Sequence, residues 1–183
     1  MNCPVCRNSV LTPHALERGL ASHRCSACGG QWVRGERYLQ WRNSGGAKNT
    51  GESVAEVTPL SVNDSGPAKL CPECGHFLTR HKVGRGVDFH IDRCASCGGI
   101  WFDANEWEML KSRSLHDDVH FVFSAAWRAE VLREERQRSR TRLLTEKLGS
   151  GDLAEIQRIK AWIDQHPKRN ELYAYLANCD SDG

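Results

Sequence analysis

Eight of the nine cysteines in this 183-residue chain fall into four Cys-x-x-Cys pairs: Cys3/Cys6, Cys25/Cys28, Cys71/Cys74 and Cys94/Cys97. Such a turn presents two sulfurs on one side of a tight loop. Two turns together surround one cation with four thiolates, a set that suits Zn²⁺ because it accepts tetrahedral sulfur ligation without a directional preference of its own. A catalytic zinc keeps a position open for water, whereas four cysteines close the shell. The pattern therefore points to structural metal, ahead of disulfides or redox-active pairs.

The pairs belong to an internal repeat. Copy one reads Cys3-Pro4-Val5-Cys6, 18 residues, then Cys25-Ser26-Ala27-Cys28-Gly29-Gly30-Gln31-Trp32. Copy two reads Cys71-Pro72-Glu73-Cys74, 19 residues, then Cys94-Ala95-Ser96-Cys97-Gly98-Gly99-Ile100-Trp101. The repeat groups Cys3, Cys6, Cys25 and Cys28 around one ion and Cys71, Cys74, Cys94 and Cys97 around another. A crossed grouping would break that symmetry. The residue after each second cysteine needs positive φ so that backbone N–H groups point at sulfur. Glycine accepts this conformation without steric cost, and Gly29, Gly75 and Gly98 stand there in three turns, with Arg7 in the fourth. Between the knuckles of copy two, Val87, Phe89 and Ile91 alternate with Asp88, His90 and Asp92, as in a strand with one buried face. Gly84-Arg85-Gly86 supplies the turn before it, and Gly19 to Arg24 does the same in copy one. Trp32 and Trp101 are expected to shield the metals and to provide most of a small core.

Composition limits the rest. Hydrophobic residues make up 39% of the chain, below the ~45–50% usual for globular domains, so one large core is not expected. The formal charge is +2. Two sites of four thiolates and one Zn²⁺ would each add −2, giving +2 − 4 = −2 for the loaded chain. Net charge is thus no argument for a nucleic-acid partner. There is no basic, then apolar, leader at the start. Nor is there a run near the ~20 apolar residues a bilayer requires. The expectation is a cytoplasmic protein with no membrane span.

The stretch from Asn43 to Pro67 is rich in Ser, Gly, Asn and Thr. It reads as a flexible linker, with a short extended piece over 54–62. After residue 103 the pattern turns helical. Asp103 and Glu106 have capping-box spacing. Asp117-Asp118 opens a second helix with Val119, Phe123, Trp127 and Val131 on one face. Gly149-Ser150-Gly151 ends it. Asp152 starts a third, with Leu153, Ile156, Ile159 and Ile163 on one face. His166-Pro167 leads into a last helix holding Leu172, Tyr175 and Leu176. The aromatic cluster Phe121, Phe123 and Trp127 is expected to pack on the helices or on copy two. Cys179 is read as an incidental thiol.

The residues of copy two resemble the bacterial zinc ribbons of the transcription factor IIB type, whose pattern is C-P-x-C, about twenty residues, then C-x-x-C-G-G-x-W-[LF]-D-x-x-E-[LW]. Cys94 to Trp107 matches it throughout. Copy one keeps the cysteines, Gly29-Gly30 and Trp32, then departs, with Arg34 and Arg37 in place of Asp103 and Glu106. No helix start is therefore signalled after it. The resemblance implies a small metal-stabilised α+β chain: two ribbons of short antiparallel hairpins joined by a flexible linker, then an α-helical C-terminal tail. The expected parts are ribbon one over 1–43, linker over 44–68, ribbon two with its helix over 69–113, and the helical region over 114–183. Two Zn²⁺ are expected. Iron is the second choice of metal, because Cys71-Pro72-Glu73-Cys74-Gly75 also resembles a rubredoxin knuckle.

The functional expectation is a recognition module rather than an enzyme, with a protein or nucleic-acid partner and no small-molecule substrate. No nucleophile–base pair, phosphate loop or convergent carboxylates stand out. No histidine sits at ligand spacing, and His23 and His90 read as strand-surface positions. The best nucleic-acid feature is Arg133 to Arg142, where Arg133, Arg136, Arg138, Arg140 and Arg142 face two glutamates. A helix would place Arg136 and Arg140 on one face and Arg138 and Arg142 on another, ready to neutralise phosphates. The helical tail is also where a homo-oligomer contact is expected. Two tethered ribbons acting on one partner would gain from effective concentration.

Overall fold

The computed structural model describes residues 1–45, 61–62 and 64–178. Much of the expected linker and Cys179 lie outside the described residues. The chain divides into two compact units, Met1–Leu132 and Arg133–Gly183.

The first unit contains both ribbons. In ribbon one, β1 (Thr12–Glu17) and β2 (Leu20–Arg24) form an antiparallel hairpin, followed by β3 (Gln31–Val33) and α1 (Gly35–Asn43). In ribbon two, β4 (Leu78–Gly84) and β5 (Val87–Cys94) form the hairpin, followed by β6 (Ile100–Phe102) and α2 (Glu106–Ser112). Arg85 and Gly86 connect β4 to β5, both at positive φ, as a twist-matched two-residue turn requires. Val87, Phe89 and Ile91 face inward as their alternation predicts, at 6%, 2% and 0% exposure.

The ribbons are fused rather than merely tethered. All six strands make one sheet in the order β1-β2-β3-β6-β5-β4. At its centre β3 pairs antiparallel with β6, in the register Gln31↔Phe102, Trp32↔Trp101 and Val33↔Ile100. Each residue of β3 corresponds to the β6 residue 69 positions later. The pairing is therefore symmetric, the internal equivalent of an isologous dimer contact. A Cβ on Gly30 would fall 2.2 Å from Cζ2 of Trp101, and one on Gly99 would fall 2.1 Å from Cζ2 of Trp32. Each tryptophan thus packs against the glycine of the other ribbon, a tighter arrangement than the expected shielding of its own metal.

The expectation of a tiny core is corrected for the same reason. One cluster joins Leu20, Val33, Tyr38 and Trp41 of ribbon one to Phe102, Trp107 and Leu110 of ribbon two, and continues into Val119, Val122, Trp127 and Val131. Helix α1 forms without its capping signal because Tyr38 and Trp41 anchor it. The Tyr38 hydroxyl donates to the carbonyls of His116 and Asp117, both at 3.1 Å. The Trp41 ring meets Trp107 edge-on at 5.7 Å. The composition-based expectation fails because two half-cores, each too small alone, are stacked into one.

The linker expectation also changes at its end. Val62 packs on the core. The Ser61 carbonyl accepts from Asn105, and the Gly66 carbonyl accepts from Arg80. These residues lie along ribbon two as an extended strap. Farther on, the expected second helix is divided. Helix α3 (Val119–Val122) stops at Phe123, and α4 (Ala125–Leu148) begins where the Ser124 hydroxyl accepts the Trp127 N–H at 3.1 Å. Trp127 is buried and donates its indole N–H to the Val83 carbonyl at 2.8 Å. Phe123 meets His81 and the Arg93 guanidinium, whereas Phe121 is exposed.

The second unit takes most of α4, then α5 (Ser150–Gln165) and α6 (Arg169–Ala177). Leu153 and Ile163 are buried, but Ile156 and Ile159 are exposed, so the expected apolar face of α5 is covered only in part. Among the described residues, no helix is long and apolar enough to cross a membrane.

Candidate metal centres and the surfaces around them

The strand ends and hairpin turns bring the eight predicted cysteines into two groups of four, Cys3/Cys6/Cys25/Cys28 and Cys71/Cys74/Cys94/Cys97, with the sulfurs of each group within 4.8 Å of one another. The uncrossed grouping is the one the fold makes. The nearest pairs are Cys3–Cys28 at 3.6 Å, Cys6–Cys25 at 3.9 Å, Cys71–Cys97 at 3.6 Å and Cys74–Cys94 at 3.4 Å. A tetrahedron with Zn–S bonds of about 2.3 Å has sulfurs about 3.8 Å apart, so the sets fit the ion. None of the eight is joined in a disulfide.

The knuckle backbone has the predicted shape. Gly29, Gly75 and Gly98 lie at φ 72–74°, and Arg7 takes the same conformation at 62°. Backbone N–H groups then face sulfur: those of Cys6 and Glu73 lie 3.4 Å from Cys3 and Cys71. Against its burial, the backbone N–H groups of Cys28 and Ala27, together with the neighbouring Cys28 and Cys3 sulfurs, draw Cys25 down to about 7, while burial pushes Cys3 up to about 11. His76, which the spacing argument passed over, places Nδ1 3.3 Å from the Cys74 sulfur. It supports a ligand position rather than adding one. The two sites differ in access: Cys74 and Cys97 are exposed, whereas Cys6 and Cys28 are half-buried.

Ribbon two carries a buried polar network that sequence reasoning did not find. The Lys69 ammonium lies 2.5 Å from Asp92 and 3.4 Å from Asp103, all three side chains nearly inaccessible. Asp103 also accepts the Trp101 indole N–H at 2.7 Å and the N–H and hydroxyl of Ser65. Asp64 joins Arg80 and accepts from His90 at 2.9 Å, which removes His90 from the free strand surface. The capping box forms in one direction: Glu106 accepts the Asp103 N–H at 2.8 Å. Glu106 is 1% exposed. Burial and the nearby charges of Asp103, Asp64 and Asp92 raise its carboxyl to about 9. Asp64, Asp103 and Glu106 bring carboxylate oxygens within 4.8 Å of one another, but Lys69 and Arg80 already occupy the cationic role there. The one legible signal of this network was the Asp103/Glu106 spacing. Lys69 and Ser65 were hidden in linker composition.

Ribbon one differs at the same places. Arg34 pairs with Glu73 at 2.5 Å, and the Trp32 indole nitrogen is buried without a hydrogen-bond partner. Between the first knuckles runs a groove of 650 Å³ bordered by Pro4, Arg7, Leu70, Pro72 and Phe77. All five arginines of the expected anion-binding stretch, Arg133, Arg136, Arg138, Arg140 and Arg142, are exposed on α4. Arg138 lies 3.8 Å from Glu134 and Arg142 lies 3.0 Å from Glu146.

No curated protein and no solved structure matches this chain. A family of transcription factor zinc-fingers, the zinc ribbons of the transcription factor IIB type, matches twice, over residues 2–44 and 70–113. The match supports zinc and gives none for iron. With four-thiol sets of tetrahedral size in both matched segments, residues 2–44 and 70–113 are two copies of that family's zinc ribbon.

Proposed function

We propose that this chain is a non-enzymatic recognition module in which Cys3, Cys6, Cys25 and Cys28 hold one structural Zn²⁺ and Cys71, Cys74, Cys94 and Cys97 hold a second. The observation that carries the reading is that each sulfur set is already complete and sized for a tetrahedral ion, which leaves no position for water or substrate. The metal's work is then to tie hairpin ends together. Elemental analysis of the purified chain should find two zinc atoms and a colourless protein. A red ferric protein, far less metal, or turnover at a metal-bound water would overturn the reading.

Recognition is assigned to the surfaces around the ribbons, in a reducing, cytoplasmic setting, with a protein as partner. Val10 and Phe77 hold equivalent places in the two ribbons and are 61% and 73% exposed. A second reading, nucleic acid bound through Arg133, Arg136, Arg138, Arg140 and Arg142, is favoured by the exposure of all five on one helix. Phosphate contacts require affinity to fall steeply with salt. Replacing Arg136 and Arg140 by Ala should reduce the log–log salt slope by roughly one per arginine. A flat salt response removes this reading. Self-association of the helical region is supported by Ile156, Ile159 and Trp162, exposed along one side of α5. Sedimentation velocity across a concentration series tests it.

A further inference from the structure

The duplication provides an internal template. Ribbon two carries a strap of its own chain. Ser61 and Gly66 accept hydrogen bonds from Asn105 and Arg80, Asp64 pairs with Arg80 and His90, and Ser65 donates to Asp103. The strap reaches the ribbon beside the Trp101 indole, whose N–H is taken by the Asp103 carboxylate. Ribbon one has the same scaffold. Thr12 and Thr79 make equivalent hydrogen bonds to the carbonyls of Arg24 and Arg93, and the Asn2↔Val10 bridge corresponds to Leu70↔Phe77. On this correspondence Pro13 replaces Arg80, Ala21 replaces His90, His23 replaces Asp92, Arg34 replaces Asp103 and Arg37 replaces Glu106.

Two things follow on ribbon one. The face is open: Pro13, Ala21, Arg34 and Arg37 are exposed. The charge is also inverted: the positions of three carboxyl residues hold a histidine and two arginines. Among the described residues, the Trp32 indole N–H has no acceptor where its twin has a carboxylate. Arg34 meets Glu73 through Nε, and a guanidinium has further N–H donors to offer.

We infer that this face of ribbon one is a docking site for an extended acidic peptide segment of a partner protein. The segment lies where the strap lies on ribbon two, and one of its carboxylates takes the Trp32 N–H together with Arg34. Arg37 supplies the surrounding positive field. A peptide is favoured over a phosphate backbone because the template is polypeptide and because a buried indole N–H is satisfied in the twin by a flat carboxylate. The inference rests on the recognition-module reading and gives that module its ligand class.

The test uses the full zinc-loaded chain with ¹⁵N-labelled tryptophan. The probes are the nine-residue strap peptide of sequence 61–69 carrying Lys69→Glu, the unaltered strap peptide, and a single-stranded oligonucleotide of random sequence. The acidic peptide should shift the Trp32 indole N–H resonance and leave that of Trp101 in place. The unaltered peptide should bind at least tenfold more weakly. Arg34→Asp should reduce affinity at least tenfold and move the Trp32 resonance of the free protein toward that of Trp101. Arg37→Ala should reduce affinity a few-fold. Zinc content and circular dichroism confirm that the variants are folded. Acidic peptide binding that leaves Trp32 unmoved, binding indifferent to Arg34→Asp, or no binding of the acidic peptide overturns the inference. So does an oligonucleotide that moves Trp32 more strongly than the peptide does. Those results leave the module reading standing as long as zinc stays at two per chain without turnover, whereas loss of that stoichiometry defeats the module itself.

Discussion

At the scale of single residues, the knuckles show how little latitude four thiolates allow. Arg7 occupies a left-handed position that glycine fills in the other three turns, and a non-glycine residue there costs of order 1–3 kcal/mol. Arg7→Gly should raise the denaturation midpoint, gaining on the order of 1 kcal/mol in chemical unfolding of the zinc-loaded protein; an unchanged or lower midpoint contradicts the strain. Glu106 makes a second prediction. Its carboxyl is raised to about 9 in the folded chain from an ordinary 4.5. Between those values the unfolded chain has lost the proton and the folded chain keeps it, so this group makes stability decline as pH rises from about 4.5 to about 9. Glu106→Gln preserves the neutral form, can still accept the Asp103 N–H, and should flatten that decline. A pH series of unfolding midpoints checks the sign. The ligands and the positive-φ sites were legible because metal chemistry fixes residue types at fixed spacing. Lys69 and Ser65 were not, because a buried ion pair assembled from residues distant in sequence has no local signature.

At the scale of elements, the close approach across β3 and β6 decides how the ribbons behave. Gly30 and Gly99 each leave room for the other ribbon's tryptophan ring. Overpacking a fitted core costs typically 1–3 kcal/mol. Gly30→Ala or Gly99→Ala should lose at least that much and disturb the near-ultraviolet signal of the tryptophan in the opposite ribbon. Loss confined to the mutated ribbon would argue against the crossing. Ligand access sets an order of metal loss. Ribbon two exposes Cys74 and Cys97, whereas the corresponding Cys6 and Cys28 are half-buried. Under mild peroxide the second site should release its zinc first, as mass spectrometry of modified cysteines would show. The hairpins and β5 could be read from alternation and turn residues. Helix α1 could not, because tertiary anchoring of Tyr38 and Trp41 replaces the missing cap. The break between α3 and α4 was hidden because Val119, Phe123 and Trp127 keep helical spacing straight through it.

At the scale of the whole molecule, the two units depend on metal differently. Structural zinc in small fingers contributes roughly 10–16 kcal/mol, and both ribbons of the first unit share one sheet and one core. Chelation should therefore unfold residues 1–132 in a single transition, with much of the helical circular dichroism of α4, α5 and α6 retained. Two separate transitions, one per ribbon, would contradict the shared core. The repeat itself was plain in the sequence. That its copies complete each other was not, because three-residue strands carry no register information. Only the recurrence of Gly-Gly-x-Trp in both copies hinted that the same two residue types would meet.

The reciprocal tryptophan contact has a consequence during synthesis. Trp32 leaves the ribosome 70 residues ahead of Phe102, the last residue of the strand that covers it. At about 5–20 residues per second, the nascent first half waits roughly 4–14 s with a large indole uncovered. Throughout that interval the first half is a sticky intermediate, open to chaperones and to the first halves of neighbouring chains on the same polysome.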